Sequence, residues 1–267
     1  MSIMEIPVNR WYKVLPARHS WRSYDARPVA EAELERLREI CAGLSGHGAR
    51  AVIVSGDTGR VFRGIVGSYG AVTGAPTYSA FIGDIEDINV NEKIGYLGEG
   101  VVLEAVALGL STCWVGGFFR PGMVASEVGI GPTEKVFAVT PIGHRTEAPS
   151  RNDRALKALA KSHSRKPLGE LCSGLPGDGW PPWVREALEA ARIAPSATNR
   201  QPWRFRVTAG SITVSADSMK DTYRISRRLD CGIAMLHLEL GARHAGAEGI
   251  WEYLAAPEVA RFRVDTR

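Results

Sequence analysis

The chain contains, at residues 194–203, the polar segment Ala194-Pro195-Ser196-Ala197-Thr198-Asn199-Arg200-Gln201-Pro202-Trp203. Pro195 halts a preceding helix, and the residue before Pro202 is restricted to extended backbone. Two hydroxyl and two amide side chains lie between the prolines, and such groups pair well with the polar edge of a heterocycle. The residues alone leave two interpretations open, a capped loop over a buried Trp203 and a ligand-binding loop.

Hydrophobic spacing predicts the elements on either side of this segment and in the rest of the chain. Apolar residues from Leu34 to Leu44 recur at helical spacing, whereas Ile94 to Leu110 is apolar on nearly every side and belongs in the protein's centre. Helices are predicted at 28–44, 94–110, 153–162, 183–193 and 232–245. Strands are predicted at 51–54, 77–82, 136–142, 204–208, 211–215 and 261–264, the fourth and fifth forming a hairpin.

The two long predicted helices resemble each other when they are aligned without gaps. The matched pairs are Gly100 with Gly232, Leu108 with Leu240, Gly109 with Gly241 and Gly117 with Gly249. The match favours a duplication, although apolar helices that contain glycine also align by chance. We therefore predict two related halves, 1–150 and 151–267, fused as a pseudo-dimer in which a site could form between the halves.

Composition excludes several classes of protein. The 267 residues, 45% hydrophobic and 23% charged, are sufficient for a soluble globular core. The 33 basic residues are interspersed with 29 acidic ones, which suits a phosphate-bearing ligand but gives no basic stripe for nucleic acid. Val101 to Leu110 is too short to span a membrane, and Glu5 and Pro7 interrupt the apolar start, so we expect neither a membrane helix nor a signal peptide.

The cysteine and histidine residues indicate neither a metal site nor a catalytic triad. No two of the four cysteines have Cys-x-x-Cys spacing, and four are few for a disulfide scaffold, so a reducing cytoplasm is the simpler expectation. His237 and His244 are expected to be packing or surface residues. We predict no metal ligand, and no residue is nominated as an acid, base or nucleophile.

A second polar segment, Arg18-His19-Ser20-Trp21-Arg22-Ser23-Tyr24, precedes the first predicted helix. Alternate residues of an extended segment face one side, so Arg18, Ser20 and Arg22 would lie together. Guanidinium groups offer a planar fork of donors that matches phosphate oxygens. By itself this cluster predicts either a phosphate cradle or an ordinary solvated surface.

Read together, the two segments resemble the FMN-dependent nitroreductase family. Members typically carry an Arg-Arg-Ser-x-Arg-like entry and an Ala-Pro-Ser-x-x-Asn-x-Gln-Pro-Trp loop. Gly109 to Gly117 resembles the exit of the family's central helix, and Val136 to Gly143 resembles the strand that follows it. The resemblance implies an α+β, nitroreductase-like fold of two related halves, each with a mixed or antiparallel sheet and flanking helices, packed as an intramolecular pseudo-dimer.

The resemblance also implies which residues bind the flavin. The entry segment would hold the phosphate, the ribityl chain and part of the pyrimidine edge through Arg18, His19, Ser20 and Arg22. The Pro-Ser-x-x-Asn loop would line the ring and the ribityl chain through Pro195, Ser196, Ala197 and Asn199. Backbone groups would approach flavin N5 at Val115, Gly116 and Gly117. Arg145 would add to phosphate binding, and His19 or Arg22 could donate near N1 and O2.

The chain departs from the family's pattern in one respect. The two motifs lie in different halves, whereas ordinary members carry both in one half-size subunit. Gly43 to Gly48, where the first half would carry its loop, lacks the proline and the asparagine, and the second half has only His163-Ser164-Arg165-Lys166 as a counterpart of the entry. The resemblance therefore implies a monomer with one composite site and one FMN. Substitution of Arg22 or Asn199 would lower the affinity for FMN, whereas changes to Lys166 would do little.

The implied function is reduction of nitroaromatic, quinone or similar electron-poor small molecules. NAD(P)H would pass hydride through flavin N5 and leave before the acceptor binds, in a ping-pong mechanism. Two alternatives stay open: a flavin-binding member without turnover, acting as a sensor or store, and a specialised flavin reaction such as reductive dehalogenation.

Overall fold

The computed structural model describes residues 4–46, 48–56, 58–62, 72–148, 164–221 and 224–264, so the helix predicted at 153–162 lies outside the described residues. By contact the chain divides into two units. The first comprises Met1–Glu5, Ala17–Val90 and Leu97–His163, and the second comprises Ile6–Pro16, Asn91–Tyr96 and Ser164–Arg267. The units are therefore not continuous in sequence, because two short stretches from the first half of the chain belong to the second unit.

The described helices and strands alternate along the chain. The helices are α1 (Val8–Val14), α2 (Glu31–Leu44), α3 (Gly59–Phe62), α4 (Val90–Ala107), α5 (Pro121–Val128), α6 (Leu168–Leu171), α7 (Pro182–Arg192) and α8 (Arg227–His244). The strands are β1 (Ala49–Ser55), β2 (Thr77–Asp84), β3 (Ser111–Thr112), β4 (Glu134–Gly143), β5 (Cys172–Gly174), β6 (Trp203–Val207), β7 (Ser211–Ala216), β8 (Gly249–Tyr253) and β9 (Glu258–Val264).

The first unit contains a four-stranded antiparallel sheet in the order β1-β2-β4-β3. The central strand β2 is buried at every residue but its last, which explains its continuous apolar sequence. Tyr78, Ala80 and Ile82 alternate along β2 and pack into one cluster with Phe62 and Val124. The sheet is thus covered on that face by α3 and α5.

The second unit contains a five-stranded sheet in the order β5-β6-β7-β9-β8, in which only the β5–β6 pairing is parallel. Helices α7 and α8 pack so closely at Gly241 that a Cβ there would lie 2.5 Å from the carbonyl oxygen of Glu186. His237 on α8 is fully buried, with Nδ1 3.1 Å from the Ala190 carbonyl oxygen, so it is a packing residue. The α+β architecture with mixed and antiparallel sheets is confirmed.

The two units repeat one order of elements. Each has a helix, two strands, a long helix and two further strands, and β1-β2-β4-β3 corresponds to β6-β7-β9-β8. Helices α4 and α8 both span 18 residues, so they coincide when Val90 is aligned with Arg227. In that alignment Gly109 and Gly246 coincide after the helix ends, with φ of 81° and 82°. The prediction of two related halves in the fold is confirmed, but the predicted alignment of Gly109 with Gly241 is wrong, because Gly241 lies inside α8 and not in the turn.

A pair of tryptophans supports the corrected alignment. Trp114 and Trp251 coincide in it, and each follows the glycine turn of its own unit. The indole Nε1 of Trp114 donates to Glu99 at 2.7 Å, and that of Trp251 donates to Glu239 at 2.8 Å. Each half therefore fixes this indole with a buried carboxylate from a long helix.

Within the second unit, the segment Asn91–Tyr96 of α4 approaches the start of α8 through glycine. A Cβ at Gly232 would lie 2.1 Å from the carbonyl oxygen of Glu92, and a Cβ at Gly95 would lie 2.0 Å from that of Leu229. The Glu92 carboxylate, fully buried, accepts from Arg228 Nη2 at 2.5 Å and Nε at 3.0 Å. Close backbone contact and a bidentate ion pair together fix this crossing.

The four cysteines are free thiols, and three of them are buried. Across the part of the chain that the structure describes, no group of three or more His, Cys, Asp or Glu side chains could hold a metal ion. No helix in the same residues is both long enough and apolar enough to cross a membrane.

Gly232→Ala should destabilise the second unit. The new Cβ would meet the main chain of Glu92, which no side-chain rotation can relieve. Overpacking of this kind costs about 1–3 kcal/mol, which exceeds the roughly 1 kcal/mol that alanine gains in helix propensity. The midpoint of urea unfolding should therefore fall. Gly122→Ala is the control, since nothing lies within 4 Å of its Cβ position, and equal midpoints for Gly232→Ala and the wild type would contradict the prediction.

Candidate functional site

The entry segment runs along the short strand β3 of the first unit. It follows a 3-10 turn at Leu15–Ala17, which ends where the segment begins. Ser20 forms a parallel bridge with Thr112, and the Trp21 N–H donates to the Thr112 carbonyl oxygen at 2.8 Å. These contacts place the predicted phosphate-binding residues beside the strand that leads into the predicted glycine turn.

Arg18 is buried in this unit and lies beside a buried carboxylate. Its Nε is 3.8 Å from Glu99 Oε1, and among the described residues that Nε has no hydrogen-bond partner. Burial lowers the pKa of Arg18, while Glu99 and Cys113 oppose the shift. Because arginine stays protonated in proteins, Arg18 and Glu99 form a buried charge pair. Sequence reasoning missed Glu99, and the available signal was that it is one of two acidic residues, with Glu104, in the predicted apolar helix 94–110.

The other entry residues are more accessible than Arg18. His19 is exposed, with Nδ1 2.8 Å from the Ala17 carbonyl oxygen, and Ser20 and Arg22 are half-buried. Arg18, Ser20 and Arg22 therefore differ in accessibility, although alternation predicts a shared side. A ligand arriving from solvent would meet His19, Ser20 and Arg22 first.

The same unit brings Arg145 and the glycine turn close to the entry segment. Tyr24 forms an antiparallel bridge with Arg145, whose guanidinium carbon lies 5.4 Å from the centre of the Trp21 ring. Val115 pairs with Val139 on β4 through hydrogen bonds of 2.9 and 3.0 Å. After it, Gly116 is half-buried and Gly117 is exposed. The sequence-predicted residues of this unit thus lie on three adjoining segments.

The Pro-Ser loop of the second unit has an unusual backbone. Thr198, Asn199 and Gln201 adopt positive φ values of 54°, 58° and 48° around a 3-10 turn at Ala197–Asn199. The prediction of extended backbone at Gln201, the residue before Pro202, is therefore wrong. Left-handed backbone is costly for residues other than glycine, on the order of 1–3 kcal/mol each, although asparagine tolerates it better. The loop must therefore be held by its surroundings.

Hydrogen bonds from inside the unit hold the loop in this shape. Ser196 Oγ accepts from the Gln201 N–H at 2.9 Å. Asp230, in the first turn of α8, accepts from the Ala197 N–H at 3.1 Å and from Arg200 Nε at 2.6 Å. Burial raises the pKa of Asp230 to about 6, against the opposing effects of Arg200 and the Ala197 N–H. Sequence reasoning did not identify Asp230, because it lies on a separate helix, far along the chain from Arg200.

The segment 164–166 fastens the outer side of the same loop. Arg165 Nη1 donates to Asn199 Oδ1 at 3.0 Å, and Asn199 Nδ2 donates to the Ser164 carbonyl oxygen at 3.0 Å. Lys166 Nζ lies 3.2 Å from the carbonyl oxygens of both Arg200 and Gln201. The Asn199 side chain thus has partners within this unit. The contacts of Lys166 with the loop argue against the prediction that its substitution would have little effect.

Trp203 belongs to the core of the second unit. Its side chain is fully buried at the start of β6, and Pro195 is also buried. The complete burial of this indole indicates that it packs in the core. The polar groups of the loop accordingly lie between two buried ends, Pro195 and Trp203.

Comparisons with known proteins agree with this architecture. A family model described as "Putative TM nitroreductase" matches residues 10–242. A putative nitroreductase from Thermotoga maritima MSB8 is 21% identical, with a TM-score of 0.63, and the match covers 99% of this chain and 95% of that chain. This similarity extends over nearly all of both chains and supports the fold described above.

Shorter solved structures match part of the chain. A nitroreductase family protein from Clostridium difficile 630 is 18% identical, with a TM-score of 0.43, over 64% of this chain and 97% of that chain. A nitroreductase with bound FMN from Bacteroides fragilis NCTC 9343 is 16% identical, with a TM-score of 0.42, over 52% of this chain and 90% of that chain. None of the curated proteins matches the sequence.

Glu99→Leu should destabilise the first unit strongly, because it leaves the buried guanidinium of Arg18 without its counter-charge and the Trp114 indole without its acceptor. Removing one member of a buried pair costs about 3–5 kcal/mol. The double variant Arg18→Met with Glu99→Leu should be the more stable of the two, since no uncompensated charge stays buried. Urea unfolding measures both, and a double variant less stable than Glu99→Leu alone would contradict the pairing.

Proposed function

We propose that this chain, which belongs to the nitroreductase family whose model matches residues 10–242, binds FMN and acts as a flavin-dependent oxidoreductase. The observation that carries the proposal is the clustering, in one unit, of the entry segment, the glycine turn and Arg145 beside strands β3 and β4. Family membership makes that cluster the expected place for the phosphate end of the cofactor.

The donors in this cluster fit a phosphorylated flavin. His19, Ser20 and Arg22 offer an imidazole, a hydroxyl and a guanidinium group that solvent can reach. Charge-assisted hydrogen bonds from such groups suit phosphate oxygens. Arg18 contributes positive charge from a buried position, and among the described residues its Nε has no hydrogen-bond partner. We assign phosphate contact to His19, Ser20 and Arg22, with Arg145 supporting the Trp21 ring.

The loop at 195–199 would contact the ring of the flavin mainly through its main chain. The side chain of Asn199 is engaged by Ser164 and Arg165. The conformation of Pro195, Ser196 and Ala197 therefore matters more than the amide of Asn199. Because residues 43–48 lack the corresponding proline and asparagine, we propose one flavin per chain and a monomeric enzyme.

When bound, FMN would supply the redox chemistry, accepting hydride from NAD(P)H and delivering electrons to a nitroaromatic, quinone or similar acceptor in a ping-pong sequence. The tasks of the protein's own residues are to hold the phosphate, to fix the ring and to keep the site accessible to two substrates in turn. None of these tasks requires an acid, a base or a nucleophile from the chain.

Arg22→Met should weaken FMN binding about ten-fold or more, because a hydrogen bond to a charged group contributes roughly 1.5–3 kcal/mol. The control is Arg60→Met, which changes an arginine of the same unit whose side chain is 55% exposed and pairs with Glu127. Titration of flavin fluorescence measures both affinities, and mass spectrometry of the released cofactor gives its identity and its molar ratio to the chain. Equal losses in the two variants would contradict the assignment of Arg22.

Turnover distinguishes an enzyme from a flavin store. Under anaerobic conditions, NADH or NADPH should bleach the visible flavin absorbance, and a quinone or nitroaromatic compound should restore it. A protein that binds FMN but neither bleaches nor recovers would be a sensor or store. A purified protein that neither carries nor takes up FMN would overturn the proposed function.

A further inference from the structure

The Pro-Ser loop rests on a buried ion pair between Arg200 and Asp230, which we name the loop anchor. The side chains are 9% and 2% exposed, and Arg200 Nε lies 2.6 Å from Asp230 Oδ2. Asp230 lies in the first turn of α8, where the positive end of the helix dipole favours a carboxylate. Arg200 Nη2 also donates to the carbonyl oxygens of Ile225 and Ser226, at 3.1 and 2.9 Å.

One carboxylate ties both ends of the left-handed turn. Asp230 Oδ1 accepts from the Ala197 N–H, where the turn begins, and Oδ2 accepts from Arg200, where it ends. The residues between these two contacts, Thr198 and Asn199, have positive φ. The anchor therefore spans two of the three loop residues with positive φ, Gln201 lying just beyond it, and opposes relaxation of Thr198 and Asn199 to ordinary backbone.

Burying two charges is costly, and a well-packed apolar pair is often as stable. The net contribution of such a pair to stability is therefore small, while its geometric demands are strict. Here those demands fall on the main chain of the turn, because the carboxylate bonds a backbone N–H as well as the guanidinium group. The arrangement is better suited to fixing a conformation than to strengthening the fold.

We propose that Asp230 is a positioning residue for cofactor binding, which, together with Arg200, holds the turn Ala197–Asn199 in the conformation that receives the flavin. This inference rests on the proposed function. Asp230 itself would not touch the cofactor; it would act through the Ala197 peptide and through Arg200.

The test compares Asp230→Asn and Asp230→Ala with Asp217→Asn, each without cofactor and with added FMN. Asp217 is a control from the same unit, since its carboxylate pairs with Arg204 and Arg227, outside the turn. In the cofactor-free protein, limited trypsinolysis after Arg200 should become at least about ten-fold faster in Asp230→Ala, because the buried side chain is released. FMN affinity should fall about ten-fold or more in Asp230→Ala and less in the isosteric Asp230→Asn.

Arg200 gives a second pair of variants, should loss of Asp230 prevent folding. Arg200→Lys keeps the charge toward Asp230, whereas Arg200→Met loses it. Positioning by the pair predicts that Arg200→Lys binds FMN more tightly than Arg200→Met at equal melting temperature. A purely structural role would instead change the melting temperatures and leave the affinities of the folded variants alike.

The outcomes separate this inference from the proposed function. If the wild type binds FMN and folded Asp230→Ala binds it within two-fold of the wild type, positioning by Asp230 is wrong. Equal affinities for Arg200→Lys and Arg200→Met would also overturn it. If the wild type binds no FMN, the proposed function fails and positioning for that cofactor fails with it, while the trypsinolysis still shows whether the anchor holds the turn.

Discussion

Helix α8 is buried along most of its length, so its polar side chains must find partners inside the protein. An unpaired polar group in such an environment costs several kcal/mol. Asp230 pairs with Arg200, and Glu239 accepts from Tyr96 and Trp251 at 2.6 and 2.8 Å. The Pro-Ser loop, the α4 segment and strand β8 are thus each bound to one helix by the need to satisfy its carboxylates.

This constraint gives the second unit its local geometry. Gly232 and Gly241 let α4 and α7 approach the backbone of α8 closely. His237 and Glu239, the buried polar residues between these two glycines, form hydrogen bonds with α7, α4 and β8. Arg228 shows the same logic at the helix start, since it bonds Glu92 and the Glu258 carbonyl oxygen. Close packing and polar pairing therefore specify the same arrangement.

Much of the fold was predictable from hydrophobic spacing. The errors arose where the apolar pattern is interrupted or fits more than one register. The central strands and long helices were found because each carries a continuous or periodic apolar pattern. The apolar pattern predicts that α8 starts at Gly232, whereas the helix begins at Arg227, because its first turn is charged and such a sequence is typical of a surface loop. The predicted alignment of the two halves is wrong because apolar helices align at several registers. The observed helix bounds, the glycine caps and the Trp114/Trp251 pair determine the correct one.

In the candidate site, the residues that are contiguous in sequence were predicted and those that contact them from distant positions were not. The entry segment and the Pro-Ser loop were located by resemblance, since their residues are contiguous in sequence. The contacts of Glu99, Asp230 and Arg165 with their motifs could not be predicted, because each residue lies far along the chain from its motif and a single sequence carries no signal for long-range pairing. The backbone of Thr198 and Asn199 was equally hidden, since these residues adopt left-handed backbone only when other groups hold them there.

The two halves differ at the loop in more than the lost proline and asparagine. In the first half, Ser45 Oγ accepts from the Ala51 N–H at 3.2 Å, much as Ser196 accepts from Gln201, so this part of the loop survives. In the alignment that pairs Val90 with Arg227, however, the position of Asp230 corresponds to Lys93, whose Nζ lies 5.5 Å from the centre of the Tyr253 ring. A lysine cannot accept the hydrogen bonds that tie both ends of the turn. The position that corresponds to Asp230 therefore holds no hydrogen-bond acceptor in the first half of the chain.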